Sequence, residues 1–432
     1  MKQRFNELSR ELCLLAVWDY LDGKWNRRDT LAYIEEWAGI DRALIYRDEL
    51  EHTFAARWDA LQALAMHLED CTLDILAGRT PEEMEPVLVH QRRDGMTGKV
   101  RDIADLCILH QLIGHLVKRG LEPYFSASLY PHQHASIPGH GQTALVKQVC
   151  RLLRRDSLKI QWHQKLDAVH AYASVRYSRI IEHIRRDMPS AGWIIALMEF
   201  LAAWAPGGHL IIGGYLDAWL FNLTAAWVMR YALSRGRLRR GRLTPYLVRI
   251  VTHMDDFVLL AANRTGLERG ARELTRWAEA EIGLYFRPTT SPIRILSAAR
   301  ERERRARDHP AARGCPNIDA GGYRISRMHT AIRPRCFRRI RRAFDRAWRE
   351  IQATGTLQRQ RARAVIAYNG PIRQSDSRRL QELHHVDAVL AVARRVVAYW
   401  GRIAARTRKE NMQNAVRWYD GGLQAAESLA GA

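Results

Sequence analysis

Over the first 88 residues apolar positions recur every three or four residues, the spacing of amphipathic helices. RDTLAYIEEWAGI (28–40) and HTFAARWDALQALAMHLEDCTLDILAG (52–78) carry it most clearly. From about residue 89 the texture changes. VLVHQRRDGMTGKVRDI alternates around a Gly-containing turn and predicts a hairpin. A helix (DLCILHQLIGHLVKRGLEPYF), a Gly/His-rich loop (SIPGHGQ) and a second helix (TALVKQVCRLLRRD) follow. KIQWHQKLDAV then reads as a strand carrying Asp167 near its end, followed by the helix SRIIEHIRRDM. Further on come a strand pair around residues 251–260, an amphipathic helix (RTGLERGARELTRWAEAEIGL), a charged run at 300–314 read as a solvated loop, and a hairpin, GGYRISRMHTAI. From Arg335 the chain is basic and helical. No internal repeat is evident.

The segment VTHMDDFVLL (251–260) breaks its own pattern. Val, Thr, Phe and Leu favour a half-buried strand, yet two carboxylates sit at its centre. Strand neighbours point to opposite faces, so Asp255 and Asp256 are not expected to share one surface. A buried carboxylate is costly unless a cation or donor meets it. Taken alone, the pair is as readily a tight hairpin turn.

Charge narrows the class. Lys and Arg number 68 against 46 Asp and Glu, a net charge of +22 with pI near 10.2. Such an excess points to a polyanionic partner, nucleic acid first and a membrane surface second. The excess is mostly arginine, which forks onto phosphate. Six cysteines without a C-x-x-C pair argue against a zinc site or a disulfide framework and for a reducing cytoplasm. The apolar stretches 191–206 and 209–229 are interrupted by Glu199, Pro206-Gly207-Gly208 and Asp217. A charge at a bilayer centre costs about 2.5–3.5 kcal/mol, so a buried helix followed by a strand, loop and helix is expected and no membrane span.

Asp167 and Asp255, each in a strand-like run, converge if their strands are neighbours. Hard oxygen ligands from two strands suit a pair of magnesium ions. At this point the chain resembles bacterial reverse transcriptases, in the branch containing diversity-generating-retroelement and phage- or defence-associated enzymes. The resemblance runs from about Lys99 to Leu380. His253-Met254-Asp255-Asp256 stands where the family has Tyr-Met-Asp-Asp or Tyr-Ala-Asp-Asp, and Lys165-Leu166-Asp167 with Tyr172, Ser174 and Val175 resembles its first acidic motif. Ser136-Ile137-Pro138-Gly139-His140-Gly141, Ile212-Gly213-Gly214-Tyr215-Leu216 with Asn222, Gly322-Tyr323-Arg324-Ile325 with His329 to Arg333, and Tyr368-Asn369-Gly370 complete it in the family's order.

The resemblance implies an α+β right-hand polymerase. Its parts would be an N-terminal helical extension (1–88), fingers (89–155), a palm with an antiparallel sheet and the catalytic carboxylates (156–298), a basic loop and primer-grip hairpin (299–334), and a basic helical thumb (335–432). It implies RNA-directed DNA synthesis with two Mg²⁺ ions, Mn²⁺ being a substitute, held by Asp167, Asp255 and Asp256. Lys99 and Arg101 would pair with the incoming triphosphate, and Tyr172 would exclude a ribose 2′-hydroxyl. Gly213 would admit the template–primer backbone, with Asn222 beside the substrate. Gly139, Gly141, Tyr323, Arg324 and Arg333 would contact nucleic acid, Tyr323 at the primer end. Read singly, Tyr172 is more often a core tyrosine, and Lys99 with Arg101 is an ordinary exposed pair.

The chain departs from the family pattern at four places. Asp217-Ala218 replaces Ser-Gln, Thr289 stands where a lysine donates a proton to pyrophosphate, Ile211 replaces a proline, and His110-Gln111 replaces Asp-Arg. The partners implied are a structured non-coding RNA template and a DNA product, with an accessory protein or a second copy of the chain. Antiphage defence is the first expectation and a diversity-generating role the second. Template-independent or protein-primed synthesis, and nucleic-acid binding with vestigial catalysis, remain open.

Overall fold

The computed structural model describes residues 7–46, 50–93, 100–156, 158–307 and 317–403. Lys99 and the end of the charged run (308–314) lie outside them. The fold is α+β.

In chain order, four helices come first: α1 (Arg10–Leu21), α2 (Arg28–Ala38), α3 (Arg42–Tyr46) and α4 (Leu50–Leu76). Ser9 caps α1 by accepting the Leu12 N–H, which satisfies one orphan donor of the first turn. The hairpin β1 (Leu88–Arg93) and β2 (Val100–Asp105) follows, antiparallel in register, then α5 (Ile108–Gly120) and α6 (Glu122–Ser128). β3 (Gln133–His134) leads through the Gly139–Gly141 loop to α7 (Gln142–Arg155) and β4 (Trp162–Ala168). Next stand α8 (Ala171–Ser174), α9 (Tyr177–Asp187), α10 (Gly192–Trp204) and α11 (Tyr215–Ser234). The strand expected after residue 209 is reduced to one isolated bridge between Arg176 and His209. Asp217 buries itself against the backbone there and the chain turns directly into α11. No helix among the described residues is long and apolar enough to cross a membrane.

An exposed hairpin of β5 (Gly236–Arg239) and β6 (Arg242–Pro245) precedes the central pair, β7 (Arg249–His253) and β8 (Asp256–Ala261). Then come α12 (Arg264–Trp277), β9 (Phe286–Pro288), β10 (Ile293–Arg294) and α13 (Ala298–Arg307). The first part of the charged run is therefore helical rather than a loop. Glu301 on that helix is buried and accepts from the Ser326 hydroxyl and the Met328 N–H, so tertiary bonds hold a segment whose composition reads as solvated. A three-stranded sheet, β11 (Ile318–Ala320), β12 (Tyr323–Ile325) and β13 (Thr330–Ile332), precedes α14 (Pro334–Thr354), α15 (Arg359–Arg373) and α16 (Arg378–Leu383). Residues 386–403 are helical again.

The central sheet has the order β10-β4-β8-β7-β3, with β9 also pairing β4. All neighbours are antiparallel except β3 and β7. Both faces are covered. Phe257, Leu259 and Ala261 point into a core shared with α9, α11, α12 and the N-terminal helices, whereas Val258 and Leu260 pack with Leu145 and Val149 of α7 and with Ile318, Tyr323 and Ile325. That two-sided burial is why β8 reads as an unbroken apolar run. A third core holds α14, α15, α16 and residues 386–393 together.

Phe257 has no exposed surface and meets the edge of Phe286 at 4.8 Å between ring centroids. Phe257→Ala is expected to cost about 3–5 kcal/mol, read as a lowered urea midpoint; a loss below about 1 kcal/mol would show that the sheet does not depend on this face.

Candidate active site

Strand pairing brings the acidic residues together. Asp167 lies directly opposite Asp256 across β4 and β8, and His253 opposite Asp256 across β7 and β8. Met254 and Asp255 form the two-residue connection between β7 and β8. Met254 takes a left-handed backbone, φ 53°, a conformation uncommon for a side chain of this size. Asp255 is thus in a turn rather than within a strand, and the alternation that would send it away from Asp256 does not operate. Its carbonyl accepts the Ala168 N–H at 2.9 Å, tying the turn to the end of β4.

The electrostatics follow from this crowding. Burial, then the neighbouring Asp256 and Asp167 carboxylates, push the Asp255 carboxyl above its ordinary range, and Arg101 of β2 opposes the shift. Asp256 pairs with Lys165 Nζ at 2.8 Å, both on the Asp167 face of the sheet. Asp167 Oδ2 accepts from Arg287 Nη2 at 2.9 Å and Nε at 3.2 Å. Arg287 stands opposite Asp167 on β9, with its side chain 65% exposed. Asp255 forms no ion pair among the described residues. Three acidic groups at one sheet end, offering hard oxygens and repelling one another, are a donor set that fits divalent magnesium.

Around them, Tyr172 on α8 stacks on Phe221 at 5.1 Å. Burial raises the Tyr172 hydroxyl's pKa, and Asp217, Asp255 and Arg101 all act on it. Arg101 is exposed on the β1–β2 hairpin. Tyr172 and Arg101 therefore both lie within electrostatic reach of Asp255.

Other sequence candidates sit elsewhere or face inward. Gly213, at φ 122°, approaches the protein's own backbone: a Cβ there would lie 2.5 Å from the Ala104 carbonyl oxygen. The Ala104 N–H donates to Ile212 O at 2.7 Å, so this glycine lets the β1–β2 hairpin lock to the 211–214 loop. The Asn222 side chain is buried, donating to Ala218 O at 3.0 Å and Ala135 O at 3.3 Å, with Met254 Sδ at 4.0 Å. It bears on the turn through Met254. Gly139 has φ 75° in the loop and Gly141 caps α7. Tyr323 is buried in the α7-side core, and Arg324 is exposed. Arg333 pairs with Asp319, Nε to Oδ1 2.7 Å. Tyr323 also lines a cavity of about 50 Å³ with Gly322, Cys336, Tyr368 and Pro371, between the small sheet and α14–α15.

Two further residues, Lys165 of the first acidic motif and Arg287 close to Thr289, have pairings that the sequence does not foretell. Lys165 was visible only as part of a motif, although its position two residues before Asp167 puts both on one strand face. Arg287's pairing depends on β9 lying beside β4, which no local pattern signals.

Asp217 explains one departure. Its buried carboxylate accepts from the Ile211 N–H at 2.9 Å and the Tyr177 hydroxyl at 3.1 Å, and fixes the loop that carries Gly213.

No family model matches this chain, and no curated protein matches it in sequence. Among solved structures it is similar to apo telomerase from Candida tropicalis truncated from its C-terminal domain. The identity is 10%, the coverage 66% of this chain and 69% of that one, and the TM-score 0.39. A likeness that slight defines neither the fold nor an activity.

Burial raises the Asp217 carboxyl to about 6. The folded chain then holds this proton over a window, from about pH 4 to about pH 6, where the unfolded chain has released it. Stability therefore falls as pH rises through the window, by about 3 kcal/mol, and levels off above it. Asp217→Asn keeps an acceptor oxygen and removes the titration. The variant should gain on the wild type between about pH 4 and about pH 6 in urea unfolding and hold a constant difference above that. A difference that stays constant through the window itself would mean that Asp217 does not titrate there.

Proposed function

We propose that the protein is an RNA-directed DNA polymerase of right-hand layout, with its nucleotidyl-transfer site at the β4–β8 end of the central sheet. One observation carries the reading: Asp167 pairs in register with Asp256, while a left-handed turn sets Asp255 beside both. A buried carboxylate beside like charges, as Asp255 is, is stable in its ionised form when cations neutralise the group. Asp167, Asp255 and Asp256 would hold the magnesium ions. When bound, such ions neutralise the triphosphate and favour in-line attack of a primer 3′-hydroxyl on the α-phosphorus with pyrophosphate leaving.

The chain's other residues supply orientation. Arg101, on a hairpin fixed to the 211–214 loop, is suited to pair with phosphate oxygens. Tyr172, with its ring backed by Phe221, presents a rigid wall where a ribose 2′-substituent would come. Lys165 holds Asp256 and keeps that carboxylate aimed along the strand face. Arg287 meets Asp167 from an exposed position; as a permanent cation it can hold departing phosphate but is a poor proton donor. Arg338, Arg342 and Arg346 are exposed at four-residue steps on α14, a basic stripe suited to duplex phosphates. Fingers, palm and thumb are then the β1–β2 hairpin with its helices, the central sheet, and α14 to residue 403. Antiphage action with a dedicated non-coding RNA rests on the family resemblance alone, as does the diversity-generating alternative.

With purified protein, its co-purifying RNA, Mg²⁺ and labelled dNTPs, Asp255→Ala is expected to lower incorporation by more than about a hundredfold while leaving the unfolding midpoint at or above that of the wild type. Incorporation that survives the change would remove the metal-site assignment. Tyr172→Ala should narrow the preference for dNTPs over rNTPs in the same assay; an unchanged preference would leave Tyr172 as a packing residue.

A further inference from the structure

Away from the carboxylate site, the N-terminal helices gather three side chains of different donor chemistry. His67 and Cys71 stand one turn apart on α4 and so share a face. Glu83 comes from the loop between α4 and β1. His67 Nε2 lies 2.7 and 2.8 Å from the two Glu83 oxygens. Cys71 Sγ lies 3.4 Å from Glu83 Oε1 and 3.6 Å from His67 Nε2. The three donor atoms all fall within 4.8 Å of one another. Cys71 is buried, and the Glu83 and His67 side chains are 6% and 19% exposed.

The surroundings hold these groups in place. Trp37 stacks on the His67 ring at 4.7 Å, and the Tyr33 hydroxyl donates to Glu83 Oε1 at 3.1 Å. The indole and the hydroxyl restrict ring and carboxylate before any ligand arrives, as outer groups do at metal centres.

The spacing can be compared with what a metal requires. Zinc bonds of about 2.3 Å to sulfur and about 2.0 Å to nitrogen or oxygen, at tetrahedral angles, set sulfur about 3.5 Å from each of the other two donors. The two sulfur edges of this cluster already have that length. The His67–Glu83 edge is shorter, at hydrogen-bond distance, and would open by about half an ångström to admit an ion.

We propose that His67, Cys71 and Glu83 bind a zinc ion, with the remaining tetrahedral position taken by water. A thiolate, an imidazole and a carboxylate together suit zinc, whereas magnesium and calcium take oxygen donors. Binding releases the thiol proton, because the ligand is the thiolate. Glu83 lies five residues before the first strand of the β1–β2 hairpin, so the ion ties the approach to that hairpin onto α4. It acts there as a clamp, separate from nucleotide chemistry. The sequence signal is H-x-x-x-C on a helix, which a search for C-x-x-C pairs passes over.

The test uses the full-length protein purified without chelator. Elemental analysis is expected to find one zinc per chain. After its removal, titration with Co²⁺ should give the near-ultraviolet thiolate-to-cobalt band, displaced by added Zn²⁺. Cys71→Ser keeps the His67–Glu83 pair and should lose both the zinc and the band. Wild-type protein that retains no zinc and shows no thiolate band would overturn the proposal, leaving a metal-free hydrogen-bonded His67–Glu83 pair beside Cys71. A band that persists in Cys71→Ser would overturn it too, by moving the metal to another cysteine. Should that variant misfold, His67→Gln and the wild-type cobalt spectrum decide the matter.

Discussion

Mutual repulsion of carboxylates at one sheet end is the constraint around which the central structure is arranged. Asp167 faces Asp256 across β4 and β8, and Asp255 sits in the adjoining turn. Two of the three are answered by cations from the same sheet, Lys165 for Asp256 and Arg287 for Asp167. Asp255 has burial and two like charges against it, with Arg101 the opposing charge. A group of this kind is unfavourable as a purely structural feature, because like charges that are partly desolvated destabilise the fold. The proposed cation site would offset that cost.

The turn geometry is held from several directions. Met254 adopts its left-handed backbone while its N–H donates to His134 O at 3.3 Å, on the short strand that lies parallel to β7. Asn222 approaches Met254 from α11 and spends its amide on two carbonyls. A strained residue persists where its neighbours over-determine it, and here β3, α11 and the end of β4 do so together. The same economy governs the 211–214 loop, in which Gly213 admits the Ala104 carbonyl and Asp217 accepts the Ile211 N–H. The loop and the β1–β2 hairpin, which carries Arg101, are thereby tied to each other.

Basic charge is distributed to match. The net charge is +22. Exposed arginines line α14, whose other face, through Ile340, Phe344 and Ala347, anchors the third core. An amphipathic helix with an apolar seam and an arginine face packs through the first and leaves the second open to solvent.

The amino-acid sequence by itself determined the α+β character, the helical N-terminus, the hairpins at 88–105 and 249–261, and the apolar continuity of β8. These follow from periodicity and local propensity, which act over a few residues. It also made Asp167, Asp255 and Asp256 stand out, because charges inside apolar runs are conspicuous in one dimension. Tertiary structure alone decided that Asp167 and Asp256 pair, that Arg287 answers Asp167 across 120 residues of chain, and that Gly213 serves the protein's own backbone. It likewise turned Asn222 and Tyr323 inward, folded part of the charged run into α13, and brought Glu83 onto the His67–Cys71 face. Register and long-range packing set those outcomes. Both depend on which surfaces of distant segments meet, and no local pattern contains that information.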